Sequence, residues 1–299
     1  MAAKRYLDAR GLGLVARMEL VARRAVEGFL SGLHPSPYFG SSVEYADHRP
    51  YSLGDELRTI DWKLLAKTDK YYVKLFEEET NTRATIVLDT SRSMSFASEG
   101  QMSKLEYGMF LTAALSYLML HQKDAVGLAL FDHGVRQYLP PRATAAHFQN
   151  MLGVMEQSSP GTDTRIGPVL SELVSRIPKR GIVIVISDLL DDIRAITDGL
   201  AHCKHRRHEV IVFHLMDPAE RSFPFEKLTR FKDLEGAGSL VANPRSIKRA
   251  YLERLTEYLD QVRRVCLERD IGYELMMTDR RYDEALSAYL MRRRRMGSR

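Results

Sequence analysis

Side chains bearing oxygen gather in three short passages of this sequence, each beside a segment whose pattern dictates where the passage must sit. Asp89, Ser91 and Ser93 stand two apart in D-T-S-R-S, directly after the apolar run ATIVL. A second passage, G-T-D-T at residues 161–164, heads a segment of helical periodicity. In the third, Asp188 follows GIVIVIS. Such oxygens suit a hard cation: magnesium takes an octahedral oxygen shell at about 2.1 Å and keeps several of its waters. Alternate residues of a D-x-S-x-S loop can turn toward one point, and hydroxyls coordinate without adding negative charge. Asp89 and Asp188 would leave a doubly charged ion nearly neutralised but still electrophilic, and so ready for a carboxylate from outside. Mg2+ is the expected ion, with Mn2+ or Ca2+ as alternatives. The plainer reading is capping, in which Asp89 and Ser91 close the next turn, Thr162 and Asp163 cap a helix, and Asp188 is an ordinary N-cap.

The elements that position these passages follow from hydrophobic pattern. Residues 4–33 carry apolar residues at helical spacing, and S-G-L-H-P-S-P-Y-F-G-S-S then prevents the helix from continuing. Residues 43–81 are polar and irregular, closing on a short alternating segment near Tyr72 that suits a strand. From residue 82 the pattern changes to apolar runs alternating with helices. Strands are expected at 84–89, 125–131, 135–139, 181–187, 209–215 and 271–277, and a hairpin around Gly236 and Gly238. Helices are expected at 102–122, 143–157, 166–177, 192–207, 245–269 and 282–294. Near-continuous Val/Ile/Leu runs are strands covered on both faces, and their alternation with helices implies right-handed crossovers. The expected fold class is therefore α/β, a doubly wound, mostly parallel, Rossmann-like sheet with an N-terminal helical and irregular extension. Its domains would be an N-terminal segment, 1–81, and an α/β domain, 82–299. In such sheets ligands bind beyond the carboxyl ends of the strands, where strand order reverses.

Composition narrows the classes. A hydrophobic share of 44% with 28% charged residues is that of a globular chain with ample core. The two cysteines, Cys203 and Cys266, form no C-x-x-C pair and suit a reducing compartment. No signal-peptide pattern opens the sequence, and Y-G-M-F-L-T-A-A-L-S-Y-L-M-L-H-Q is too short and too polar to span a bilayer. These features lead to the expectation of a cytoplasmic protein with no membrane span. The formal charge of +5 owes much to Arg292, Arg293, Arg294, Arg295 and Arg299, read as a solvated helix end. His202, His205 and His208 drift around a helix with Arg206 and Arg207 among them, and read as an exposed basic helix end. Helix 102–122, with Met109, Phe110, Leu111, Leu115, Leu118 and Met119, is core packing.

Taken together, Asp89, Ser91, Ser93, G-T-D-T and Asp188 resemble the metal-ion-dependent adhesion site of von Willebrand factor A domains. The passage E-Y-A-D-H-R-P-Y-S-L-G-D-E-L-R-T-I-D-W, residues 44–62, with V-K-L-F-E-E-E and the D-x-S-x-S loop, resembles the bacterial family called domain of unknown function 58. The resemblance implies a von Willebrand factor A-like fold and a metal shell of Asp89, Ser91, Ser93, Thr162 and Asp188, with Thr164 as second choice to Thr162. Ser187-Asp188-Leu189 stands where Thr-Asp-Gly is usual, which keeps the carboxylate and puts the shape of the loop in question. Such proteins often accompany MoxR-type AAA+ ATPases, so the resemblance implies such a partner and a role in assembling or activating other proteins. Within residues 44–62, Arg49 and Arg58 can satisfy Asp55 and Asp61, with Trp62 as an anchor to the core; a recognition surface, or a polar cluster bracing the metal loop, is the other reading.

These observations favour a metal-dependent protein-interaction module over an enzyme. A hydrolase or phosphotransferase using the same metal is the alternative, and needs a general base, nucleophile or phosphate cradle beside the ion. The sequence has no G-x-x-x-x-G-K-[ST], G-x-S-x-G or H-E-x-x-H. Nucleic-acid binding through the arginine tail lacks interleaved aromatic residues, so no nucleic-acid partner is expected.

Overall fold

Strands that are apolar on both faces must be covered on both faces, and the apolar runs accordingly line up in one six-stranded sheet between two layers of helices. The computed structural model describes residues 13–32, 48–50, 62–68, 70–74, 82–177, 180–232, 234 and 238–297. In chain order these form α1 (Leu14–Gly32), β1 (His48–Pro50), α2 (Trp62–Thr68), β2 (Tyr72–Lys74), β3 (Arg83–Asp89), α3 (Lys104–His121), β4 (Ala125–Phe131) and β5 (Val135–Arg142). There follow α4 (Ala145–Glu156), α5 (Ile166–Arg176), β6 (Ile182–Ser187), α6 (Ile193–His205), β7 (Glu209–Met216) and α7 (Pro218–Ser222). The hairpin β8 (Thr229–Lys232) and β9 (Ser239–Ala242) precedes α8 (Pro244–Glu268), β10 (Gly272–Met277) and α9 (Asp283–Gly297).

The sheet order is β10-β7-β6-β3-β4-β5. All neighbours are parallel except β5, which returns antiparallel beside β4 as an edge strand. From β3 the chain moves outward through β4 and β5, then jumps back to β6 on the other side of β3. The carboxyl ends of β3 and β6 therefore flank the point where strand order reverses. The result is the mixed α/β, mostly parallel sheet expected from the sequence, in a Rossmann-like arrangement.

Strand periodicity sends alternate residues to opposite layers. Ala84, Ile86 and Leu88 of β3 join Met18, Leu111, Leu115 and Leu118 on one side. Val87 faces Val169, Leu170, Ile196 and Val262 on the other. Helix α3 is apolar around most of its circumference and correspondingly buried, as expected of a core element. Each of its large apolar side chains contributes about 1.5–3 kcal/mol on burial. Helices α5 and α6 cross so closely that a methyl at Gly167 would lie 2.5 Å from the Ala195 carbonyl, and the glycine permits the approach.

The chain divides into two compact units, residues 31–80 and the remainder. Helix α1 thus belongs with the α/β unit, where Met18, Ala22 and Val26 enter its core and Arg17 pairs with Glu106 at 2.6 Å. In the smaller unit β1 and β2 pair antiparallel. Trp62 opens α2 and is 59% exposed, not the buried side chain expected of it. Residues 51–61, which hold Asp55, Arg58 and Asp61, lie outside the described residues, as do 33–47. So do Gly236 of the hairpin turn and Arg299. No helix among the described residues is long and apolar enough to cross a membrane.

The basic end of α6 is solvated at His205, Arg206 and Arg207, but His208 is buried, a correction to the expectation of an exposed trio. The helix ends at His205, and the turn through Arg207, at φ 64°, carries His208 inward beside β7. Burial lowers its pKa below the ordinary imidazole value, opposed by a hydrogen bond to Gly181 and assisted by Arg206. The unfolded chain therefore takes up this proton first, and the stability of the neutral ring, full above about pH 6.5, is lost as pH falls through that value. Urea unfolding from about pH 8 to 5 should show wild type losing stability relative to His208→Gln as the pH falls. Parallel curves for the two proteins would show that His208 does not titrate on unfolding.

Candidate metal centre

Asp89 ends β3 and is fully buried. Its Oδ1 accepts from the Ser91 amide at 2.8 Å, and its Oδ2 from the Ser187 hydroxyl at 2.6 Å. The first bond folds the D-x-S-x-S loop back on itself. As a result the Ser91 and Ser93 hydroxyls, both buried, converge to 3.0 Å. Thr90, pointing the other way, ties the loop to β4 by donating its hydroxyl to the Phe131 carbonyl at 2.8 Å. Two backbone bonds then join this loop to the second passage: Gly161 N–H to the Thr90 carbonyl at 2.7 Å, and Arg92 N–H to the Thr162 carbonyl at 2.9 Å.

Asp188 leaves β6 next door to Asp89, since β3 and β6 pair in register from Ala84 opposite Ile182 to Leu88 opposite Ile186. The structure thus brings Asp89, Ser91, Ser93 and Asp188 to one corner of the sheet, with the backbone of Thr162 at its edge. The two threonines differ: the Thr162 hydroxyl lies 2.9 Å from Nδ1 of exposed His133, whereas Thr164 is buried. The capping reading fails in two of its three places. Helix α6 is capped by Asp192, not Asp188. Helix α5 begins after Arg165 with no side-chain cap of its own, and its Ile166 amide donates to Asp191 Oδ2 at 2.8 Å. Only the Asp89 turn behaves as the capping reading has it.

Leu189 adopts the left-handed region, φ 53°, with its side chain fully enclosed. The loop thus keeps a backbone turn of the kind glycine favours, at about 1–2 kcal/mol for a leucine, offset by burial in the layer of α5, α6 and α8. Tyr258 donates to the Leu189 carbonyl and fixes the turn from α8.

Several neighbours were not visible as site residues in the sequence. Lys104, at the first turn of α3, is 1% exposed, with Nζ 2.8 Å from Asp188 Oδ2 and 2.7 Å from Glu220 Oε1. Burial opposes its charge, but Asp188 and Glu220 prevail and raise its pKa above the usual lysine value. Glu220 is held in turn by the Asp217 amide, and Asp217 accepts from the Ser98 amide and hydroxyl. Under Asp188, His214 of β7 meets the Tyr273 hydroxyl at 2.9 Å, and burial pushes its pKa down to about 4 against the pull of Asp188. Asp132 comes directly after β4, whose last residue Phe131 pairs with Asp89, so the strand-end rule alone could have found it. A methyl at Gly161 would stand 2.1 Å from its Oδ2, which accounts for that glycine.

Electrostatically the corner is strained. Burial first, and then the neighbouring Asp188, push the Asp89 carboxyl up to about 7, despite hydrogen bonds from Ser187 and Ser91 that work the other way. Two buried carboxylates and a convergent hydroxyl pair have the chemistry to accept a cation. Among the described residues no three His, Cys, Asp or Glu side chains gather to hold a metal ion, so a centre here has to draw on the serines. Each carboxylate oxygen has about two lone-pair sites, so the hydrogen bonds at Asp89 leave acceptor capacity for an ion. Replacing Ser187 by Ala removes the donor to Asp89 and the acceptor of the Leu189 amide. Ser187→Ala should therefore lower the unfolding free energy by about 1–3 kcal/mol. A denaturation midpoint equal to that of wild type would show that water replaces both bonds.

Comparison with known proteins agrees with this fold without naming an activity. Uncharacterized proteins of Mycobacterium tuberculosis and Mycobacterium bovis are 25% identical over 210 residues, 69% of this chain. The match spans 65% of the length of those relatives. Among solved structures, the conserved hypothetical protein BatB from Bacteroides thetaiotaomicron superposes with a TM-score of 0.51 at 20% identity, covering 73% of this chain and all of that one. Residues 47–258 match the family described as "Protein of unknown function DUF58". The chain belongs to the DUF58 family.

Proposed function

We propose that this protein is a metal-dependent protein-interaction module of the von Willebrand factor A type. It would hold Mg2+, or Mn2+ or Ca2+ in its place, through Asp89, Ser91, Ser93, Thr162 and Asp188, with Thr164 as the alternative to Thr162. The supporting observation is the convergence of Asp89, Ser91, Ser93 and Asp188 at the carboxyl ends of β3 and β6, where strand order reverses. When bound, the ion would supply an electrophilic position for a carboxylate of a protein partner. The chain's own residues do the rest: the Ser91 amide and the Ser187 hydroxyl orient Asp89, and the Thr90 and Gly161 bonds hold the serines in place. The family resemblance makes a MoxR-type AAA+ ATPase the first partner to try, in assembly or activation of other proteins within the cytoplasm.

The alternative is a metal-dependent hydrolase or phosphotransferase at the same place. One feature favours it: Asp89 is enclosed beside Asp188, and burial pushes its carboxyl up toward the range of a general base. Turnover of a panel of phosphoesters, lost in Asp89→Ala, would establish that reading instead.

Thermal unfolding of wild type and Asp89→Ala in EDTA, Mg2+, Mn2+ and Ca2+ tests the main proposal. An ion that binds only the folded chain stabilises it by about 2.7 kcal/mol at a hundredfold excess over Kd, a rise of several degrees. That rise is expected in wild type and absent in the variant. Equal midpoints with and without metal in wild type would remove the metal from the proposal. Co-purification with the MoxR-type ATPase of the same cell should depend on metal, and its absence in both conditions would remove that partner.

A further inference from the structure

Lys104 is the feature that fold stability explains least. Lysine is almost never fully buried, and a cation at a helix N-terminus opposes the helix dipole. Yet Lys104 occupies the first turn of α3, behind the Ser103 N-cap, with its ammonium enclosed between Asp188 and Glu220. The ring of Phe96 lies on a further side, 5.8 Å from Nζ. Buried charge clusters of this kind are weak stabilisers, because desolvation offsets most of the attraction. What the cluster does fix is the orientation of Asp188: Oδ2 faces the ammonium at 2.8 Å, and Oδ1 faces the Leu190 amide at 3.4 Å.

We propose that Lys104 is a tethered counter-ion of the candidate metal centre, which sets how tightly the centre binds a divalent cation. The inference rests on the metal-binding reading above. A divalent ion sharing Asp188 meets a positive charge already seated on that carboxylate, so the centre alone binds its ion weakly. An incoming carboxylate offsets that repulsion, which makes ion and partner bind cooperatively. Glu220 divides the hold of Lys104 between two acceptors and thereby tempers its grip on Asp188. Since Glu220 belongs to α7 and is braced by Asp217, which also holds Ser98, the setting is built into two segments outside the ligand loops.

The experiment is calorimetric titration of Mn2+ into the full chain, as wild type and as the Lys104→Met, Glu220→Gln and Asp89→Ala variants. Lys104→Met keeps the length and volume of the stem and should bind Mn2+ at least tenfold more tightly than wild type. Glu220→Gln leaves Lys104 to Asp188 alone and should bind severalfold more weakly. Asp89→Ala should not bind. Adding acetate should tighten Mn2+ binding in wild type more than in Lys104→Met. Equal affinity in wild type and Lys104→Met, with Asp89→Ala still inactive, would overturn the role of Lys104 and leave the metal centre standing. If no protein in the series binds Mn2+, the metal reading fails and this inference fails with it. Should Lys104→Met not fold, Glu220→Gln decides: wild-type affinity there overturns the proposal.

Discussion

Two carboxylates, Asp89 and Asp188, leave the ends of adjacent strands and share one buried corner, and the surroundings are organised to tolerate that charge. Like charges out of water repel and are poorly solvated, so each is given donors: Ser91 and Ser187 for the first, Lys104 for the second. Those donors constrain larger pieces in turn. Ser187 has to end β6 beside β3, α3 has to begin where its first turn reaches Asp188, and α7 has to present Glu220 to the same ammonium.

The sheet makes this possible by being covered on both sides. Its inner strands have no wet face, and their only exits to solvent chemistry are their ends. Reversal of strand order at β3 and β6 parts the crossovers there, α3 to one layer and α6 to the other. Polar groups that would be intolerable within either layer can collect in that gap and hydrogen-bond one another.

Much of this was legible in the sequence because it rests on local pattern. ATIVL and GIVIVIS could only be covered strands, and the aspartates directly after them had to lie at strand ends. Helix α3 was recognisable as core from Met109 through Met119. Lys104 was not legible: a lone lysine at a helix start reads as solvated, and only the fold brings Asp188 and Glu220, distant in sequence, to its ammonium. The direction of β5 and the separate unit around β1 and β2 depend on pairing, which periodicity does not encode. Trp62 misled because a large aromatic usually reports burial, whereas this one begins a short helix with its ring mostly in solvent. His208 misled in the opposite sense, being carried inward by a turn that its basic neighbours concealed.

Leu189 belongs to two structures at once. Its backbone shapes the turn after Asp188, while its side chain is part of the apolar layer beneath α5, α6 and α8. A glycine in that place would give a hinge; a leucine gives a rivet. The loop cannot swing without drawing an apolar side chain out of the core, so the shape of the corner is set when the domain folds. The recognition proposed for this corner would spend little entropy on ordering the loop, leaving selectivity to shape and charge.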